Sequence, residues 1–185
     1  MTKSEILKQL VTDPHIKEIL EIIQSLQLND SWLCAGTIRN YIWNVLTDKL
    51  AFDEETDVDV IFYDPAISYE ETLILEKRLQ TDYPQYKWEL KNQVYMHVHS
   101  PETQPYTDSR DAMSKYPERC TAVGLRLTNQ GEEFYCPYGW EEIFQMEVHP
   151  TPHFRNNPQR LQLYQTRQLK KRWQDKWQNL KIFSE

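Results

Sequence analysis

Between Ser31 and Asp64 the chain reads SWLCAGTIRNYIWNVLTDKLAFDEETDVDVIFYD, and the order of its parts leaves few folds open. A short apolar run, Trp32-Leu33-Cys34-Ala35, stops at Gly36 and gives way to apolar residues at helical spacing, Ile38, Tyr41, Ile42, Val45 and Leu46. That is strand, glycine turn, helix. A polar, acidic loop from Asp48 to Thr56 follows, and then Asp57-Val58-Asp59-Val60-Ile61-Phe62, a second apolar strand that opens with two carboxylates. Strand side chains alternate between faces, so Asp57 and Asp59 share one face while Val58, Val60 and Phe62 take the other. Two like charges so placed repel by roughly a kcal/mol or more when partly desolvated, which predicts a cation held between them. An oxygen-only pair suits Mg²⁺ or Mn²⁺, with water and phosphate oxygens filling the remaining positions. The glycine turn supplies the complementary half. A helix N-terminus opened by Gly36 presents bare backbone N–H groups at the positive end of the helix dipole, Thr37 adds a hydroxyl, and Arg39 in the first turn is expected to reach the same phosphates.

Each piece has a plain alternative. Gly-Thr pairs are common, and paired aspartates at a strand rim are often only solvated or cap a neighbouring helix. Their combination in this order is what favours a nucleotide site.

Gly36-Thr37-Ile38-Arg39-Asn40 followed by Asp57-Val58-Asp59 resembles the head-domain signature of nucleotidyltransferases of the DNA polymerase beta superfamily. The likeness is greatest to CCA-adding enzymes and bacterial poly(A) polymerases, where Gly-Gly-x-Val-Arg-Asp precedes Asp-x-Asp. With Lys91-Asn92-Gln93-Val94-Tyr95-Met96-His97 and Pro137-Tyr138-Gly139-Trp140, the pattern also resembles a family of small bacterial nucleotidyltransferase-like proteins over most of the chain. Ala35 stands where the first glycine would be, and Asn40 where the acid after the arginine would be. The resemblance implies an α/β (α+β) head with a mixed twisted sheet, helices packed mainly on one face, and a C-terminal helix. It implies Mg²⁺ on Asp57 and Asp59, phosphates on Gly36, Thr37 and Arg39, and a third acid on a neighbouring strand. Glu89 is in the right order for that third acid, acting as base toward the acceptor; an exposed strand residue between Trp88 and Leu90 is the competing account. Asn92 enters as a polar group near the site by likeness to the small family.

Charge divides the chain. Of its net −7, the segment from Arg155 to Lys181 contributes +7, with eight Lys or Arg against Asp175 alone, while residues 1–154 carry −13. Such a split fits a nucleic-acid-binding tail or a basic helix docked on an acidic body. Trp173 and Trp177, with Leu169 and Leu180, suggest an apolar helix stripe, which favours docking. The expected division is a head over 1–152 and a basic helical extension over 153–185 packed on it. Cys34, Cys120 and Cys136 are too dispersed for a disulfide framework or a zinc knuckle. No signal-like or membrane-spanning run occurs, so the expected setting is cytoplasmic and away from membranes.

Elsewhere, a short helix is expected over Ser4–Leu10, and a stronger one opens at Pro14 behind an Asp13 cap, with Ile16, Ile19, Leu20, Ile23 and Leu26 at helical spacing. Tyr69 to Gln80 reads as an amphipathic helix and Tyr86 to Leu90 as a strand. His97 and His99 would share a strand face, a weak zinc signal without a third ligand. A short helix is expected over Asp108–Lys115. Thr121 to Leu127 reads as a buried strand turning at Gly131 into Glu133–Cys136, and Arg126 within it needs an acid or a phosphate partner.

The function expected is transfer of a nucleoside monophosphate from a nucleoside triphosphate to an acceptor hydroxyl, RNA, a protein side chain or a small molecule. Little more than one helix follows Pro152, so the helical domains with which a CCA-adding enzyme grips tRNA are not expected here. The alternatives are a catalytically silent nucleotide- or RNA-binding module and an antitoxin-like protein-interaction role.

Overall fold

A computed structural model describes residues 1–185. The chain opens with α1 (Lys3–Thr12), whose N-terminus is closed by a reciprocal capping box between Thr2 and Glu5. α2 (Pro14–Ser25) begins where expected: the Asp13 side chain accepts from the backbone N–H of His15 and Ile16, and Pro14 fills the first helical position. β1 (Trp32–Cys34), α3 (Gly36–Leu46) and β2 (Asp57–Phe62) follow in the predicted order. α4 (Tyr69–Asp82) starts with a second capping box, Ser68 with Glu71, and leads into β3 (Lys87–Asn92). A 3₁₀ turn over Gln93–His99 and α5 (Ser109–Ser114), capped by Asp108, connect to the hairpin of β4 (Gly124–Thr128) and β5 (Gly131–Tyr135). α6 (Glu141–Phe144), β6 (Glu147–Val148), α7 (Pro152–Arg155), α8 (Pro158–Lys171), α9 (Trp173–Lys176) and β7 (Lys181–Ile182) complete the chain.

Five strands form one mixed sheet in the order β3-β2-β1-β4-β5, with β2 and β3 parallel and the other pairs antiparallel. Its two faces differ in kind. Leu33, Val58, Val60, Phe62, Trp88, Leu90 and Leu125 point into the large core, where they meet Ile6 and Leu10 of α1, Ile16, Ile19 and Ile23 of α2, and Ile38 and Ile42 of α3. The opposite face carries a small apolar cluster of Trp32, Cys34, Ala35, Ile61 and Met113, and beside it the acids of β2 and β3. The strand period therefore does two jobs at once, because the residues that anchor β2 in the core fix Asp57 and Asp59 on the other side.

Several local expectations change. His97 and His99 lie in the 3₁₀ turn rather than on a strand face, and no third ligand side chain joins them. The C-terminal basic segment is not one helix: Arg172 adopts φ +50°, ψ 39° and separates α8 from α9. Leu169 is therefore 81% exposed, whereas Trp173, Trp177 and Leu180 join the core. Trp43 of α3 meets Trp173 and Trp177 edge-on, and the Trp177 indole donates to Asn44 Oδ1 at 3.1 Å. β7 pairs with β6 in a second two-stranded sheet that had no clear sequence signal. Arg126 takes the acid partner, with Glu133 at 2.7 Å and Asp30 at 3.5 Å, while its guanidinium lies over Trp32. No helix is long and apolar enough to cross a membrane.

Candidate active site

The strand register brings Asp59 of β2 opposite Glu89 of β3, and Asp57 opposite Lys87. Asp57 and Glu89 are exposed and Asp59 is half-buried. Burial raises the Asp59 carboxyl, and the charge of Glu89, its hydrogen bond and the charge of Asp57 add to that, so Asp59 is pushed up to about 7. Repulsion among carboxylates on one pleated face is thus expressed in this structure without a cation partner: none of the three makes a salt bridge, and Lys87 turns instead to Glu55.

Asp59 also faces the glycine corner. A Cβ added at Gly36 would come 3.6 Å from Asp59 Oδ2 and 3.3 Å from Arg39 Nη2, so the absent side chain keeps open the approach between helix and strand. The residue before it is strained. Ala35, where the family signature has a glycine, holds φ +57°, ψ −126°, and its carbonyl accepts from the backbone N–H of Ile38 and Arg39 at 3.1 Å each. That leaves the N–H groups of Gly36 and Thr37 as the ones at this helix end without an intrahelical acceptor.

The side chains of the corner do not reach outward as the spacing suggested. The Thr37 hydroxyl donates to Asp57 O at 2.9 Å and accepts from Asp59 N–H at 3.1 Å, so it staples α3 to β2. Arg39 is buried. Its Nε and Nη2 donate to Asn40 Oδ1 at 3.1 and 2.9 Å, its Nη1 donates to Thr121 Oγ1 at 2.7 Å, and its guanidinium lies 4.2 Å from the Trp173 ring centroid. Burial holds this guanidinium below the usual arginine range. Thr121 passes the connection to Glu118 at 2.8 Å, which in turn accepts from Arg167 at 2.5 Å and Gln168 at 2.7 Å of α8. Burial alone would raise the Glu118 carboxyl, but the charges of Arg167 and Arg39 and the hydrogen bonds from Arg167 and Thr121 outweigh it and hold Glu118 below the usual range.

Asn92 is likewise engaged structurally. Its amide donates to Asp64 O and Ile67 O at 2.8 and 3.1 Å, and its oxygen accepts from Asp64 N–H and Val94 N–H, which uses its hydrogen-bonding capacity to clamp the chain after β2. It does not line the cleft described next.

Asp59 and Glu89 open into a cleft of about 590 Å³ between the acidic sheet face and α8. Ala35, Tyr106, Tyr116 and Lys115 contribute to it, as do Arg167, Lys170 and Lys171 of α8. The volume falls in the ordinary range for small-molecule sites. No three His, Cys, Asp or Glu side chains converge tightly enough to form a metal cage by themselves. A hard divalent cation does not require one, since Mg²⁺ binds through one or two carboxylates and completes its shell with water and phosphate. The aspartate pair fits that donor set.

A mixed sheet with a glycine-opened helix set against paired strand carboxylates defines a nucleotidyltransferase head, and a family model described as nucleotidyltransferase matches residues 21–182. The chain belongs to that family. It is similar, at 62% identity and a TM-score of 0.93, to a solved protein described as having a CCA-adding enzyme head domain, over 98% of this chain and 96% of that one. The fold is the CCA-adding enzyme head-domain fold. A tRNA-processing enzyme complex shares it at 15% identity and a TM-score of 0.51, over 89% of this chain and 43% of that one. The CCA-adding enzyme of Bacillus stearothermophilus in complex with CTP aligns at 14% identity and a TM-score of 0.49, over 85% of this chain and 40% of that one. No curated protein sequence matches the chain.

Proposed function

We propose that this protein transfers a nucleoside monophosphate from a nucleoside triphosphate to an acceptor hydroxyl, with release of pyrophosphate. The observation that supports it most directly is Asp59 beside Glu89 at the mouth of the cleft, facing the Gly36 corner. Asp57 and Asp59 would hold Mg²⁺ or Mn²⁺. Such an ion supplies Lewis-acid neutralisation of the charge that develops on the α-phosphoryl group.

The chain's own residues account for the rest. Gly36 and Thr37 present backbone N–H groups to phosphate at the positive end of α3, and the lack of a side chain at Gly36 keeps that approach open. Thr37 acts through β2, because its hydroxyl fixes the backbone on both sides of Val58 and so the direction of both aspartates. Arg39 acts at a distance by holding the first turn of α3 to Thr121. Glu89, exposed and next to Asp59, would take the proton of the acceptor hydroxyl as the O–P bond forms. A protein of this size and setting would act in the cytoplasm on an RNA or small-molecule acceptor.

The test is pyrophosphate release from ATP, CTP, GTP and UTP with Mg²⁺ or Mn²⁺, using wild type, Asp57→Ala and Asp59→Ala. Either substitution should lower turnover at least a hundredfold without unfolding the protein. Equal rates in wild type and both variants would overturn the enzyme reading. Ala35 and Asn40, both departures from the family signature, support a second reading in which nucleotide binds and no transfer follows. Backbone amide shifts at Gly36–Arg39 without pyrophosphate release would select it.

A further inference from the structure

The wall of the cleft opposite the carboxylates is built from one face of α8. Leu163, Thr166, Arg167, Lys170 and Lys171 line it at i, i+3, i+4, i+7 and i+8, a single helical stripe. Tyr164 and Gln168, outside this stripe, and Arg167 within it attach the helix to the body. Tyr164 is fully buried and donates to Val148 O at 3.2 Å, and Gln168 donates to Glu118. α8 is thus anchored by one face while a basic face looks into the cleft.

The charges on that face are not equivalent. Arg167 is committed to the buried Glu118, and Lys115, nearby in the cleft, pairs with Asp111 at 2.9 Å. Lys170 and Lys171 are exposed and have no acidic partner; their neighbour Arg172 takes Asp175. Across the cleft, Asp59 and Glu89 have no cationic partner either, because Lys91 on that wall is held by Glu76 at 3.3 Å. One wall therefore carries carboxylates that no cation pairs, and the other lysines that no acid pairs. A simple cation satisfies only the first and a simple anion only the second. A polyphosphate chelating a divalent cation satisfies both.

The glycine corner leaves this role open. Its two polar side chains, Thr37 and Arg39, are engaged within the fold, so the corner offers a phosphate chain backbone N–H groups and no free cation. We infer that Lys170 and Lys171 are the polyphosphate grip of the cleft and hold the β- and γ-phosphates of the nucleoside triphosphate from the α8 side. This rests on the nucleotidyl-transfer reading. Lysine suits it as a mobile point charge able to follow a phosphate chain.

The full-length protein is titrated with Mg²⁺-tripolyphosphate, with each Mg²⁺-nucleoside triphosphate, with the corresponding monophosphates and with a short single-stranded RNA. Wild type is compared with Lys170→Ala/Lys171→Ala and with a control of equal charge change, Lys77→Ala/Arg78→Ala, whose side chains border a separate shallow groove on α4. Both lysines are exposed and unpaired, so the double variant should melt at the wild-type temperature. It should bind tripolyphosphate and the triphosphates roughly 10- to 100-fold more weakly, while monophosphate affinity and the control stay at wild-type levels. If wild type binds triphosphate and the double variant binds it equally well, this inference falls and the nucleotidyl-transfer reading stands. Loss of RNA affinity with triphosphate affinity kept would assign the lysines to the acceptor and overturn it too. If wild type binds no triphosphate, the parent reading falls and the inference falls with it.

Discussion

Burial beside the small apolar cluster around Cys34 and Ile61 pushes the Asp59 carboxyl up, and Glu89, set against it by β3, adds to the effect. A carboxyl whose folded-state pKa lies above its unfolded value destabilises the fold progressively as pH rises from the ordinary value of 3.8 toward about 7. Below that window the effect is absent. Asp59→Asn should therefore leave stability near wild type at pH 4 and raise it by about 1–2 kcal/mol at pH 8 in the absence of divalent cation, allowing for partial exposure of the group. Thermal melts of both proteins across this range decide it; a difference that does not grow with pH would contradict the assignment. Added Mg²⁺ should raise the wild-type melting temperature more than that of the variant. Next to this pair, Ala35 holds a backbone conformation natural to glycine. Ala35→Gly should relieve strain and stabilise the protein by about 1 kcal/mol despite the greater freedom of glycine in the unfolded chain, a shift of a few degrees in melting temperature.

At the scale of elements, α3 and α8 are joined through a buried relay of unlike groups, Arg39, Thr121, Glu118 and Arg167. Glu118 is fully buried and its carboxyl is held below the usual range, so its contribution is present above about pH 4.5 and is lost as pH falls through the folded-state value. Glu118→Gln removes the only carboxylate in the relay, so that Arg167 loses its ion-pair partner and the buried Arg39 loses a nearby counter-charge. It should cost about 3 kcal/mol or more near neutral pH, with a smaller penalty in acid. Denaturant unfolding at pH 7 and at a pH well below 4.5 measures both values, and an equal penalty at the two pH values would show that the carboxylate charge is not what matters. Trp173 closes the same contact from the side by covering the Arg39 guanidinium. Trp173→Ala should lose about 3–5 kcal/mol, most of it from the cavity left against Trp43.

For the whole molecule, the asymmetry of charge becomes intelligible once the segment after Pro152 lies along the head. Tyr164, Trp173, Trp177 and Leu180 belong to the same core as the sheet, and β7 completes a small sheet with β6. A chain ended at Thr151 would leave Trp43, Arg39 and Glu118 without their covering groups. It should lose cooperative unfolding and expose apolar surface, which circular dichroism during heating and binding of a hydrophobic dye would report. A truncated chain that melts sharply near the wild-type temperature would show instead that the head folds independently.

What could be read directly from residues was whatever depends on local period and local chemistry. The cap of α2, the strand alternation of β2 and the order strand, glycine, helix, acids all follow from interactions within a few positions of one another, and they sufficed to recognise a nucleotidyltransferase head. The direction taken by Thr37, Arg39 and Asn92 did not follow, because each is aimed by a partner 20 or more positions away, at Asp57, Thr121 or Asp64. The basic stripe of α8 was present in the spacing from Leu163 to Lys171, yet its meaning depended on what stood opposite. Packing of Tyr164 and Gln168 decided that, since anchoring one face of a helix to a fixed body leaves its other face only one direction to look.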